Sequence, residues 1–165
     1  MNSEFLSPLE LDDTDIRLLQ SLQTDASLSN QDLAAKVHVS PPTCLRRVKR
    51  LHDLGLIERQ VAVLHADRLK PLIGAGLTAI VEVTLTEQTE EVLAAFEARI
   101  LPDAHVQQCY RVSPGPDVVL IVQVRDMPAY LELAQRLFTQ DTKVRNVKAF
   151  FSVKRAKFST SLAWI

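Results

Sequence analysis

The chain has 165 residues, 47% of them hydrophobic, and a formal net charge of -1, enough for one large domain or two small ones near the lower size limit for folding unaided. Its apolar runs are short and broken by charges, which excludes a membrane-spanning helix, and Met1 to Glu10 lacks the basic patch and apolar core of a signal peptide, so a cytoplasmic protein is expected. The small net charge does not exclude nucleic acid: residues 1 to 35 carry seven acidic side chains and one basic, whereas residues 36 to 60 carry six basic and two acidic, and it is this local distribution that partners meet.

Ile16, Leu18, Leu19 and Leu22 form an apolar stripe at helical spacing behind the acidic start Asp12, Asp13 and Asp15, which predicts a first helix over Leu11 to Leu22. Ser29-Asn30-Gln31-Asp32 has the form of a capping box, and Leu33, Ala34 and Val37 give the second helix a short buried face. After a turn at His38-Val39, Ser40 can cap a third helix with Pro41 in its first position, and Gly55 can end it. Three short helices with a tight turn between the last two predict a helix-turn-helix. Ile57 to Leu64, with Val61 and Val63 alternating against polar neighbours, predicts a trailing strand or wing.

Pro71, Gly74 and Gly76 mark a linker over 66–76, separating a first domain (1–65) from a second (77–165). In the second, Leu77, Ala79, Val81, Val83 and Leu85 alternate with Thr78, Ile80, Glu82, Thr84 and Thr86, predicting a strand, and Val92, Leu93, Phe96 and Ile100 then recur at helical spacing. His105 to Val112 and Val118 to Val124 read as strands around Pro114-Gly115-Pro116, Met127 to Phe138 as a helix, and Val147 to Val153 as a last strand. The order βαββαβ, with short connections and right-handed crossovers, fits a ferredoxin-like fold. The fold class is α+β, a winged helix-turn-helix joined to a ferredoxin-like domain.

The third helix carries the chemistry. Cys44, Val48 and Leu51 fall on one face and Thr43, Arg46, Arg47 and Arg50 on another. A helix of about 15 residues is roughly 22 Å long and can lie in a major groove with its first residues at the base edges. An arginine fork matches guanine O6 and N7, and hydroxyls bond phosphate or base. Thr43, Arg46 and Arg47 are therefore the expected base readers, with Ser40, Lys49 and Arg50 on phosphates. A basic helix face can also be merely solvated, but the caps, the tight turn and the trailing strand all point the same way.

Leu11-Asp12-x-x-Asp15 with Ile16 and Leu19, and Val39-Ser40-Pro41-Pro42-Thr43-Cys44-Leu45-x-Arg47-Val48-Lys49-Arg50-Leu51 followed by Gly55-Leu56-Ile57, resemble the Lrp/AsnC (leucine-responsive, feast/famine) regulators. The resemblance runs over about residues 9 to 162, including the tail Lys157-Phe158-Ser159-Thr160-Ser161-Leu162. It implies a transcription regulator that binds double-stranded DNA, dimers whose sheets face each other, assemblies up to octamers, and an amino acid or related metabolite bound between subunits. Family members carry Gly-x-x-Asp-Tyr between the second and third sensor strands, where this chain has Pro114-Gly115-Pro116-Asp117-Val118. Ser113, Gly115 and Asp117 are the expected effector residues: Gly115 can restore a close backbone approach, and Asp117 can accept from an ammonium group. Pro114 removes an N–H donor and the flanking prolines stiffen the loop, so both altered or lost sensing and ordinary amino-acid sensing stay open.

His38, His52, His65 and His105 are scattered without metal-ligand spacing, and Cys44 and Cys109 lie far apart within apolar segments, so no metal site and two buried free thiols are expected. No P-loop, GxGxxG, GxSxG or HExxH motif is present, which implies no cofactor and no enzyme. Two alternatives remain: a tetrapyrrole enzyme similar to the sirohaem decarboxylases, which resemble the same two-domain family, and a scaffold that does not read DNA. Trp164 either packs in an interface or is exposed.

Overall fold

The structure, a computed structural model, describes residues 10–65, 68, 69, 72, 74 and 76–164. The N-terminal segment 1–9 and, within the expected linker, residues 66, 67, 70, 71, 73 and 75 lie outside the described residues. The chain divides into two compact units, one reaching to Val63 and taking in the tail from Lys157, the other spanning Leu64–Ala156.

The first unit contains helices α1 (Asp13–Thr24), α2 (Asn30–Val37) and α3 (Pro41–Asp53). Each start is fixed by its own cap. The Asp12 carboxylate accepts the Thr14 and Asp15 N–H groups at 2.9 Å each, Ser29 Oγ accepts from Asp32 N at 3.1 Å, and Ser40 caps α3 with Pro41 in its first turn. These bonds satisfy N–H groups that a helix start otherwise leaves bare. Between α2 and α3 the chain turns at His38, which takes left-handed φ 60° and sends its N–H back into α2. Asn30 Nδ2 donates to the Pro41 carbonyl at 2.9 Å, tying the two helix starts together. Gly55, at φ 69°, closes α3 as expected, a conformation that side chains other than glycine disfavour. Leu18, Leu33, Ala34, Val37, Cys44 and Leu51 form the core, with Leu11, Leu22, Val48 and Ile57 packed around it.

One expectation meets a correction in this unit. Residues 57–65 carry no strand, and Val61, Val63 and Leu64 are exposed. The alternating pattern supplies β propensity, but a strand also needs a neighbour to complete its hydrogen-bond ladder, and none is present among the described residues of this unit. The tail from Lys157 makes contacts in this unit. Gln23 donates from Nε2 to the Leu162 carbonyl at 2.9 Å and accepts the Leu162 N–H on Oε1 at 3.1 Å, so one side-chain amide grips both polar groups of one backbone residue. Trp164 is 42% exposed, half covered rather than free.

The second unit is an antiparallel sheet of order β2-β3-β1-β4, built from β1 (Leu77–Leu85), β2 (Val106–Arg111), β3 (Val118–Val124) and β4 (Val144–Phe151). Helix α4 (Glu90–Ile100) links β1 to β2, and α5 (Met127–Ala134), continued by a π-helical turn over Gln135–Thr139, links β3 to β4. This is the expected βαββαβ fold. Ala79, Val81, Val83 and Leu85 of β1 and Val118, Leu120, Val122 and Val124 of β3 pack with Phe96 and Ile100 of α4 and with Tyr130, Leu133, Leu137 and Phe138. Their period of two is the one read from the sequence. The opposite sheet face is open in this chain and carries Ile80, Tyr110 and Phe150, which are 40%, 52% and 52% exposed. Both cysteines are free thiols; Cys44 is buried, while Cys109, expected to be buried, is only half covered because its strand β2 is an edge of the sheet.

Candidate nucleic-acid interface and effector loop

Six polar residues of α3 and its cap were expected to meet DNA, and the structure sorts them into two groups. Arg46 and Lys49 are exposed and have no hydrogen-bond or ion-pair partner among the described residues. Ser40 and Thr43 share a hydroxyl–hydroxyl bond of 2.8 Å, while Ser40 Oγ stands 3.4 Å from Thr43 N. A hydroxyl has one donor and two acceptor sites, so this cap pair retains capacity toward an incoming phosphate or base.

Arg47 and Arg50 are engaged differently. Arg47 Nη1 donates to Asp12 Oδ2 at 2.7 Å and to Asp15 Oδ1 at 2.9 Å, and Arg50 Nη1 donates to Asp15 Oδ2 at 2.8 Å. The Asp15 side chain is 1% exposed, against 22% for Arg47 and 42% for Arg50. One buried carboxylate of α1 thus holds two arginines of α3, one by each oxygen. Arg47, expected among the base readers, is half-buried in this cluster, because its place on the wheel borders the core-facing side occupied by Cys44 and Leu51. The Asp15 backbone N–H, and after it the Arg47 guanidinium, hold the Asp12 carboxyl below the usual carboxylate range, and the paired carboxylates raise the Arg47 pKa in turn.

In the sheet unit, the loop after β2 borders an open cavity of about 340 Å³ lined by Gln88, Leu93, Arg111 and residues 112–117. Ser113 and Gly115 are exposed on it, and Gly115 has φ 123° with nothing within 4 Å of an added Cβ, so backbone conformation rather than space calls for glycine there. Asp117 is 9% exposed; its Oδ2 accepts the Leu85 N–H at 2.7 Å, and its own N–H donates to the Val83 carbonyl at 3.0 Å. The carboxylate expected to meet an effector therefore already secures the end of β1.

Residues 11–52 match the family model for the AsnC-type helix-turn-helix domain, and residues 78–162 match that for the Lrp/AsnC ligand binding domain. The chain belongs to the Lrp/AsnC family of transcription regulators. The Bkd operon transcriptional regulator of Pseudomonas aeruginosa is 35% identical over 145 residues, spanning 88% of this chain and 92% of that protein. The leucine-responsive regulatory protein of Haemophilus influenzae is 35% identical over 147 residues, 89% of this chain and 86% of that one. A transcriptional regulator of Neisseria meningitidis, solved as an L-Met complex, superposes with TM-score 0.82 at 29% identity over 93% of this chain and 97% of that chain.

In this Lrp/AsnC regulator the loop cavity also contains a residue that sequence reasoning missed. Arg111 grips Glu97 with two bonds, Nε to Oε1 at 2.6 Å and Nη2 to Oε2 at 2.7 Å, and reaches Glu90 from Nη1 at 2.6 Å. These bonds, Glu97 first, raise the arginine's pKa and hold Glu97 below its ordinary range. The two glutamates sit seven residues apart on α4, a spacing that marks one helix face, but nothing local says which strand residue meets them. No helix among the described residues is long and apolar enough to cross a membrane.

The buried bond from Leu85 gives the regulator's loop a testable weak point. Asp117→Ala leaves that N–H without an acceptor, which costs about 1–3 kcal/mol, whereas Asp117→Asn keeps an accepting oxygen and most of the stability. Urea unfolding of the full chain measures both, and an alanine variant as stable as the parent would show that the bond contributes nothing.

Proposed function

We propose that this regulator reads a specific duplex through α3 as a dimer or larger assembly, and that an amino acid or related metabolite bound near Ser113, Gly115 and Asp117 tunes its grip. Arg46 and Thr43 face base edges; Ser40 and Lys49 fix the helix on phosphates, with the exposed outer edge of Arg50 at the margin. Arg47 acts mainly by holding α3 in place. The observation that carries this reading is that Arg46 and Lys49 have no partner among the described residues and stand on the exposed face of a capped helix whose other two cations are held by carboxylates.

Two features support assembly and sensing. Ile80, Tyr110 and Phe150 put apolar surface on an open sheet face, which a second copy would cover, placing two α3 helices on half-sites about 34–36 Å apart or a multiple of that. The Neisseria relative binds L-Met, and the loop cavity here offers a chamber for a small ligand. Because Asp117 and Arg111 are already paired, the effector must compete with those pairs or rely on backbone groups. It shifts the regulator only by binding one arrangement of the assembly better than another.

The test is a titration at fixed salt against the DNA upstream of the protein's own coding region and against a scrambled duplex, with and without leucine, methionine and a wider metabolite pool. The expected result is a preference for the upstream duplex that moves when the pool is added. Equal affinity for both duplexes would sink the DNA reading and favour the scaffold or tetrapyrrole alternatives. A preference that no pool member moves would sink only the effector half.

A further inference from the structure

We infer that Asp15 is a positioning residue that limits how much of the positive charge on α3 reaches DNA, and so sets how sharply the helix distinguishes one duplex from another. The inference rests on the reading of α3 as the DNA-contacting helix. Four cations project from the polar side of α3: Arg46, Arg47, Lys49 and Arg50. Asp15 bonds two of them, through different oxygens, at 2.9 and 2.8 Å, and Asp12 adds a second carboxylate to Arg47 at 2.7 Å.

The burial of Asp15 matters as much as its charge. Ion pairs between exposed groups weaken as salt screens them, but a carboxylate only 1% exposed is screened much less. The clamp therefore persists at ionic strengths where surface pairs fade. It leaves Arg47 incompletely satisfied, since the buried Arg47 Nε has no partner among the described residues. An arginine released from the clamp can meet that need on a phosphate, whose oxygens fit its planar fork.

Phosphate contacts are the same on every sequence, whereas base contacts require α3 to hold its angle about its own axis. Releasing Arg47 and Arg50 thus adds sequence-independent binding and at the same time loosens the seat from which Arg46 reads. Removing this negative charge makes the protein bind the wrong DNA more tightly.

The experiment compares Asp15→Asn with the parent full-length protein on the upstream and scrambled duplexes across a salt series. The expected result is higher affinity for the scrambled duplex, a lower ratio of upstream to scrambled affinity, and a salt slope steeper by about 0.9 for each released arginine. Adding Arg47→Gln and Arg50→Gln to that variant should abolish the steepening, bringing the slope back to the parent value or, because the outer edge of Arg50 lies at the phosphate margin, slightly below it. Asp12→Asn provides a second route with little risk to folding, because asparagine caps a helix about as well as aspartate and the Asp12 side chain is 53% exposed; it should shift the slope in the same direction by a smaller amount. A purely structural role for Asp15 predicts weaker binding to both duplexes with no steepening. That outcome, or an Asp12→Asn protein with unchanged slope and unchanged scrambled affinity, overturns the inference while leaving the DNA reading intact. A parent protein that does not prefer its upstream duplex overturns both.

Discussion

An Arg46→Ala protein is expected to lose about 1–3 kcal/mol of discrimination between its upstream duplex and a scrambled one, roughly a 5- to 150-fold fall in the affinity ratio. The reasoning begins with what the guanidinium lacks. Arg46 has no partner among the described residues, so its removal leaves no buried group stranded and does not disturb the core; the effect is confined to what the side chain touches on DNA. A fork that pairs with two atoms of one guanine carries sequence information. Lys49→Ala serves as the contrast, because an ammonium on phosphate contributes equally on all sequences: it should weaken both duplexes alike and flatten the salt slope by about 1. Competition titrations with the two duplexes at several salt concentrations measure both effects. If Arg46→Ala behaves as Lys49→Ala is expected to, Arg46 is a phosphate contact and Thr43 becomes the leading base reader.

Leu51→Ala is expected to destabilise the helical unit by about 2–5 kcal/mol. Leu51 is fully buried and shares its cluster with Leu18, Leu33 and Cys44, so truncation removes apolar contact and leaves a cavity that three short helices cannot collapse to fill. Whole domains are stable by only about 5–15 kcal/mol, and a unit this small sits toward the low end. Specific DNA binding should therefore disappear at temperatures the parent tolerates, while the sheet unit, which has its own core, keeps its structure. Helical circular dichroism during heating, read beside DNA binding, checks this. Leu45→Ala on the same helix, at a position 62% exposed, should change stability by no more than about 0.5 kcal/mol. Comparable losses from the two variants would mean that α3 is not seated through Leu51.

The features legible in the sequence are those settled within a few residues. Ser29, Ser40, Pro41 and Gly55 mark helix ends by bonds and backbone conformations that span one turn, and the alternation from Leu77 to Leu85 and from Val118 to Val124 fixes which side chains enter the core. What stayed hidden depends on partners far along the chain. A helical wheel groups Arg47 with the basic face, and only the fold brings Asp12 and Asp15, more than thirty residues earlier, against it. Arg111 is similarly indistinguishable from a surface cation until α4 delivers Glu90 and Glu97. Ile57 to Leu64 shows the converse: the β pattern is present, but no partner strand for it is found among the described residues. Asp117 was expected to meet an effector, but its bond from Leu85 comes from strand ends meeting, which spacing alone does not reveal.

The two hydrogen bonds between Gln23 and Leu162 join backbone segments 139 residues apart. Along the chain the sheet unit is an insertion: the backbone leaves the helical unit at residue 63 and rejoins it at 157. A gene fragment cut after the third helix therefore lacks the backbone that the Gln23 amide grips. A frameshift, a stop codon or a bulky insertion just before Leu162, although separated from α3 by more than a hundred residues, is by the same geometry a lesion of the contact with α1 as well as of the sheet it follows.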